Sequence, residues 1–573
     1  MNPIAKALRL WHTVRWLKPV QMYGRVRFRL SKPKPDLRPA PPVRAVTGTW
    51  IMPARREQSL VTSSQMRFLN EERDLDVHGW DSKELAKLWR YNQHYFDDLC
   101  AFGAAARTEW HRELITRWMR ECPPGKGTAW EPYPTSLRIV NWIKWLRAGN
   151  EPVPGMLDSL AAQTRFLTKR LEWHLLGNHL FVNAKALVFA GFFFEGAEAE
   201  SWRSQGWRIL RAEIPEQILA DGGQFERSPM YHALAVEDML DLFNALRAWP
   251  QVCAASDESI VALRIAPMLA FLDGVSHPDG EVSFFNDSVG GVAPSNEELE
   301  RYAEALPVPN RGTRHSRGTD SAAPGGLGAL HFAQSGFVRL TAGDAVVILD
   351  VGDIGPDYLP GHAHADTLSF ELSVGARRVL VNSGISQYGL GGERLRQRGT
   401  AAHNTVTLNG ADSSEVWGGF RVARRARVSG VDASISADDG CASALGTHDG
   451  FLRLADGAPH RRAWRLLREG RLQIEDTLDS KGSVESHWHF LPGFQVRTGP
   501  DPAVLHATDG VLALILKAEG AEWRVTRSTY HPRFGVSVPI AKAVARSNRA
   551  TTRIDIAWSP CTSSSSPTTS LPK

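Results

Sequence analysis

Apolar positions recur every three to four residues from about Asp81 to Leu306, as in Leu85, Leu88, Tyr91 and Tyr95 and again along Leu137 to Trp145. That spacing predicts amphipathic helices. Breaks at Pro123-Pro124-Gly125, Pro152-Val153-Pro154-Gly155 and Asp221-Gly222-Gly223 separate them, so the pattern reads as an array of antiparallel helices, closed or open. Around Gly325 the texture changes to short β-rich runs: Phe337 to Leu340, Ala345 to Leu349, Val379 to Val381 and Asn404 to Leu408. Turns such as Asn409-Gly410 punctuate them, which indicates an antiparallel sandwich. The expected organisation is therefore a basic N-terminal arm and linker (1–60), a helical domain (61–310), a linker (311–328), a β-sandwich (329–558) and a Ser/Thr/Pro-rich tail (559–573) expected to be disordered.

Composition agrees with a folded, multidomain chain: 573 residues, 43% hydrophobic and 23% charged. Most of the 19 Trp are expected to fill helical cores. The five cysteines are odd in number and no two sit at metal spacing, which argues against a disulfide framework. No apolar run approaches the roughly 18 residues of a membrane-crossing helix, and the N-terminus lacks the apolar core of a secretory signal. Net charge is +5, but residues 1–60 hold 13 Lys or Arg against two acidic residues, an excess of +11 that leaves −6 for the rest. Met1 to Leu17 reads as a short basic helix with Ile4, Leu8, Trp11 and Val14 near one stripe. It suits an anionic membrane surface or packing on its own protein. Nucleic-acid binding would need a basic stripe with aromatics on a folded motif, and none is present.

The chemistry-bearing stretch runs from Pro360 to Asn404. Read as a strand, Gly361 to Leu372 puts His362, His364 and Asp366 on one face with Leu368, Phe370 and Leu372, a polar site at the mouth of a sheet. Two histidines at i, i+2 suit a metal or proton transfer, or else a solvated surface strand. In the helical half, Gly177-Asn178-His179 and Asp221 to His232 stand out. Helical spacing places Arg227 one turn from Tyr231, where a cation would favour tyrosinate.

Gly361-His362-Ala363-His364-Ala365-Asp366, taken with His403-Asn404-Thr405-Val406, resembles the C-terminal domain of the heparinase II/III-like polysaccharide lyases. Asn178-His179 and Gly222 to His232 are similar to that superfamily's helical domain. The resemblance implies an incomplete (α/α) toroid followed by an antiparallel β-sandwich. It also implies β-elimination of a uronic-acid-containing acidic polysaccharide. In those roles Asn178 neutralises the carboxylate, Tyr231 is the acid (and, for syn elimination, the base), and His362 is the base for the other epimer. His364 and His403 match ligands of a bracing zinc, whose third ligand in the family is an aspartate; Asn382, a poorer ligand, holds that place here. Arg138, Glu226, Arg398 and Trp417 are candidates for substrate contacts, each with a salt bridge or packing as its alternative. The resemblance implies the cell envelope or periplasm, with a cytoplasmic or peripheral-membrane place as the alternative; the missing secretory signal points to trimming of a polymer during exopolysaccharide or capsule synthesis. An inactive polysaccharide-binding protein is the competing function. A hydrolase would need a pair of carboxylates across the cleft, and no compelling pair is seen.

Overall fold

The computed structural model describes residues 3–310 and 326–561. Most of the expected 311–328 linker and the tail from 562 onward lie outside the described residues. The last strand, Thr551–Pro560, carries regular structure slightly beyond 558.

Two N-terminal helices, α1 (Pro3–Val14) and α2 (Pro19–Leu30), precede an extended run. Residues 31–60, expected as a linker, lie against the helical half: the Arg44 guanidinium donates to the carbonyls of Phe192 (3.1 Å) and Phe194 (2.9 Å), and the Ile51 amide donates to Asn244 Oδ1 (2.9 Å).

The principal helices that follow are α3 (Thr108–Glu121), α4 (Pro132–Arg147), α5 (Met156–Thr168), α6 (Gly177–Phe193), α7 (Ala197–Gln217), α8 (Pro229–Ala248), α9 (Ala255–Gly274) and α10 (Asn296–Ala305). They form an incomplete (α/α) toroid. Its centre is α6, in which every residue from Leu180 to Phe193 is buried, as expected of a helix apolar all round. α6 packs on α4, α5, α7 and α8. Six of the eight fully buried Trp lie in this half, at 89, 118, 142, 145, 207 and 249, so Trp does mainly serve the core.

The sheets of the second half are all antiparallel, and one short helix, Gly392–Arg398, lies among them. A five-stranded sheet runs in chain order from Leu327–Phe332 to Arg377–Leu380. An eight-stranded sheet runs from Val428–Ser436 at one edge to Gln495–Thr498 at the other. A four-stranded sheet contains Val406–Leu408 and Val484–His489. Phe370, Trp464 and Trp488 fill their shared core.

One expected strand is corrected. Residues 362–369 are a looped segment, with Leu368 at φ +60°, and the strand begins only at Phe370. The first part of the segment pairs with the helical half, and only Leu368 and Ser369 reach a neighbouring strand, at Asp350. The Asp287 amide donates to the His362 carbonyl (2.9 Å), the His364 amide to Asn286 Oδ1 (2.9 Å), and the Asn286 amide to Asp366 Oδ2 (2.8 Å). The alternation of faces across His362, His364 and Asp366 therefore does not apply.

Candidate active site

The site lies where the first turns of α6 and α8 meet the 353–366 loop. α8 starts cleanly: Ser228 caps it by accepting the Tyr231 amide (3.2 Å), and Pro229 occupies its first turn. Tyr231 is thus held in the first turn. α6 starts at Gly177, with φ +53°. A Cβ there would sit 2.3 Å from Leu359 Cδ2 and 3.1 Å from Glu226 Oε1, so the two halves approach through the missing side chain. Asn178 follows it, half-buried, with no side-chain hydrogen bond among the described residues. His179 lies 3.2 Å from Glu172, and its ring centroid is 4.5 Å from that of Tyr133.

His362 lies against Tyr231, ring centroids 4.0 Å apart. The Tyr231 and Tyr388 hydroxyls are 3.0 Å apart. His362 Nδ1 is 2.9 Å from Asp287 Oδ2, and its Nε2 faces Glu226 Oε2 at 3.7 Å. That Glu226 oxygen is buried with no hydrogen-bond partner among the described residues. Asp287 also accepts from His364 Nε2 (2.8 Å) and from both terminal nitrogens of the fully buried Arg394. Burial alone would raise the Asp287 pKa; the Arg394 charge and the two histidine hydrogen bonds outweigh it and hold the carboxylate well below its usual range. Because Asp287 is ionised, His362 and His364 each direct an N–H at it. In the neutral imidazole that arrangement turns the His362 Nε2 lone pair toward the site.

Tyr231 and Tyr388 are both pushed well above the usual tyrosine value, chiefly by burial. The expected Arg227–Tyr231 pair is not formed. Arg227 has φ +59°, lies outside α8, and donates to the carbonyls of Asp353 and Gln334. Nothing there favours tyrosinate, so Tyr231 rests as a neutral hydroxyl.

Burial divides the residues. Asn178, His179, Tyr231, His362 and Tyr388 are half-buried, whereas Glu226, Asp287, His364, Asp366, His403 and Arg394 are buried behind them. His364 Nδ1 lies 3.2 Å from His403 Nε2, and Asp366 offers a carboxylate oxygen within 4.8 Å of both nitrogens. Two imidazole nitrogens at that separation and a carboxylate form a donor set that fits zinc. Asn382 is corrected out of that set. Its carbonyl oxygen accepts the Asn404 amide (3.1 Å), and the carboxylate beside the two histidines is that of Asp366, an anionic and better ligand than a neutral amide.

Two expected substrate contacts, Arg138 and Arg398, are also corrected. Arg138 is fully buried against Gln163 and the carbonyls of His94 and Ala129, with its guanidinium 3.9 Å from the Trp118 ring centroid. Burial brings it down to about 9. Arg398 is likewise buried, and it braces the histidine loop through the carbonyls of Ala363 and Gly418. Trp417 donates its indole N–H to Thr13 of α1 (3.0 Å). Glu226 is the one of the four beside His362. Sequence reasoning missed Asp287, Arg394 and Tyr388. The only hint at Asp287 was a polar Asn-Asp-Ser run between Phe285 and Gly290.

Residues 23–310 match the heparinase II/III N-terminus family, and residues 324–559 match the heparinase II/III-like C-terminal family. Curated relatives include a heparin-sulfate lyase of Bacteroides stercoris, 27% identical, matched over 59% of this chain and 56% of that protein. Another is a heparin-sulfate lyase of Pedobacter heparinus, 29% identical over 59% of this chain and 54% of that protein. The chain thus spans just over half the length of the curated relatives it matches. Among solved structures, heparinase III superposes with a TM-score of 0.64 at 19% identity, over 84% of this chain and 79% of that one. A heparan sulfate lyase mutant from Pedobacter heparinus gives 0.59 at 17% identity, over 98% and 89%.

Proposed function

The chain belongs to the heparinase II/III family, and on that premise we propose that it is a polysaccharide lyase cleaving a uronate-containing acidic polymer by β-elimination. The observation that carries this reading is the half-buried Tyr231–His362 pair, with buried Asp287 fixing the imidazole behind it and Asn178 following Gly177, which approaches the neighbouring Glu226. Asn178 and Tyr231 sit in the first turns of α6 and α8, whose N-terminal dipoles favour a carboxylate and its enediolate. The Asn178 amide hydrogen-bonds the C6 carboxylate. His362 Nε2 takes the C5 proton, the C5 electron pair forms the C4–C5 double bond, the C4–O4 bond breaks, and O4 takes the Tyr231 hydroxyl proton. The raised Tyr231 value suits the acid role, because the hydroxyl keeps its proton until the leaving oxygen needs it. Glu226 Oε2 beside Nε2 would stabilise the imidazolium that forms. Zinc, when bound by His364, His403 and Asp366, supplies a rigid tie across the loop and no proton.

The same reading places the protein at the cell envelope, in exopolysaccharide or capsule metabolism. Incubation with a panel of uronate polysaccharides, followed by ultraviolet absorbance of the unsaturated uronate, tests the activity. Fractionation of the producing cells tests the placement.

A further inference from the structure

We propose that α1 and α2 together form a docking face for an anionic lipid bilayer, which extends the envelope placement above. Nine of the 23 large apolar side chains exposed among the described residues lie between Ile4 and Leu30, two short helices of a long chain. On α2, Met22, Val26 and Leu30 recur every four residues and are 62%, 58% and 78% exposed. On α1, Ile4, Leu8 and Trp11 form a comparable stripe. Residues 1–35 contain nine Lys or Arg and no Asp or Glu. Apolar side chains flanked by cations match a bilayer interface, which receives both.

The helices are fixed from behind, which leaves this face outward. The Arg9 guanidinium donates to Glu415 (2.9 Å), Lys18 pairs with Glu216, and Gln21 donates to the Tyr358 carbonyl (3.1 Å). A Cβ at Gly24 would touch the His174 backbone at 3.0 Å, so α2 lies flush on the helical half. Beside α2 a cavity of about 480 Å³ is lined by Arg27, Lys169 and Arg208 and by no carboxylate. None of these three cations has an ion-pair partner among the described residues. The cavity offers a lipid phosphate a place next to the apolar stripe. An acidic polysaccharide would use the cations but gains nothing from exposed Met22, Val26 and Leu30, so the bilayer is the better match.

The test is co-sedimentation of the full chain with vesicles of phosphatidylcholine alone or mixed with phosphatidylglycerol, at low and high salt. The wild-type protein should pellet with the mixed vesicles, stay in solution with phosphatidylcholine alone, and be released by salt. Met22→Asp/Val26→Asp/Leu30→Asp and Arg25→Gln/Arg29→Gln should each lower partitioning by about tenfold or more. Circular dichroism of the variants checks that they fold. Equal pelleting with both vesicle types, no pelleting, or binding unchanged in both variants overturns the proposal. So does binding of a soluble acidic polysaccharide that the arginine variant abolishes while vesicles are ignored. The lyase assay on soluble polymer is read separately, so failure of docking and failure of the activity reading are distinguishable.

Discussion

Replacing Asp287 with Asn keeps the side-chain shape and removes one charge. Asp287 is fully buried and accepts from His362, His364 and both terminal nitrogens of Arg394. The amide has one oxygen left to accept, and the Arg394 guanidinium, also fully buried, loses its counter-charge. Each charge-assisted hydrogen bond contributes about 1.5–3 kcal/mol, and breaking a buried pair from one side costs about 3–5 kcal/mol. We expect Asp287→Asn to lose about 3–5 kcal/mol in denaturant unfolding followed by Trp fluorescence. Adding Arg394→Met removes the unpaired cation and should restore part of the loss, a coupling of about 1–3 kcal/mol. Turnover should fall further than folding explains, by on the order of 10³-fold or more, because His362 loses the partner that fixes its tautomer. A single variant within about 1 kcal/mol of wild type, or strictly additive effects in the double variant, would refute the role given to Asp287.

Glu298 accepts from Arg55 and Arg301; burial would raise its pKa, but these partners outweigh it and bring it to about 2 from an ordinary 4.5. A depressed carboxylate contributes stability above its unfolded value and loses it as pH falls through the folded one. Glu298→Gln should therefore melt below wild type at pH 7, and melting curves across pH should show the gap closing between about 4.5 and 2. Elemental analysis after zinc loading should show loss of metal in Asp366→Asn and His364→Ala and retention in Asn382→Ala, with His364→Ala also melting lower. Gly177→Ala should cost about 1–3 kcal/mol through its φ of +53° and its clash with Leu359, and Leu359→Ala should relieve part of that in the same unfolding assay.

The change from helical to β texture near Gly325 was legible because the two periods differ along the chain itself. Asn178, Tyr231 and His362 were singled out by short distinctive runs, and the structure sets Tyr231 against His362. What stayed hidden depends on contacts between the halves. His362, His364 and Asp366 bond Asn286 and Asp287, far away in the chain, so local alternation misread the segment as strand. Asp287 is a single carboxylate in no motif, and only the fold brings two histidines and an arginine to it. Arg227 leaves the helix through a positive φ that i, i+4 counting cannot foresee. Arg138 lies on α4, a helix buried on nearly every side, where sequence does not say which face meets the substrate.

The central claim is that Tyr231 gives its proton to the leaving oxygen. Tyr231→Phe removes only a hydroxyl whose one direct partner among the described residues is the Tyr388 hydroxyl, so packing should survive. The measurement is the initial rate of unsaturated uronate formation by wild type and Tyr231→Phe across substrate concentrations. The account predicts that kcat falls by at least ~10²-fold while KM changes little, because the hydroxyl acts in the transition state. A well-folded Tyr231→Phe protein with near-normal kcat would contradict it.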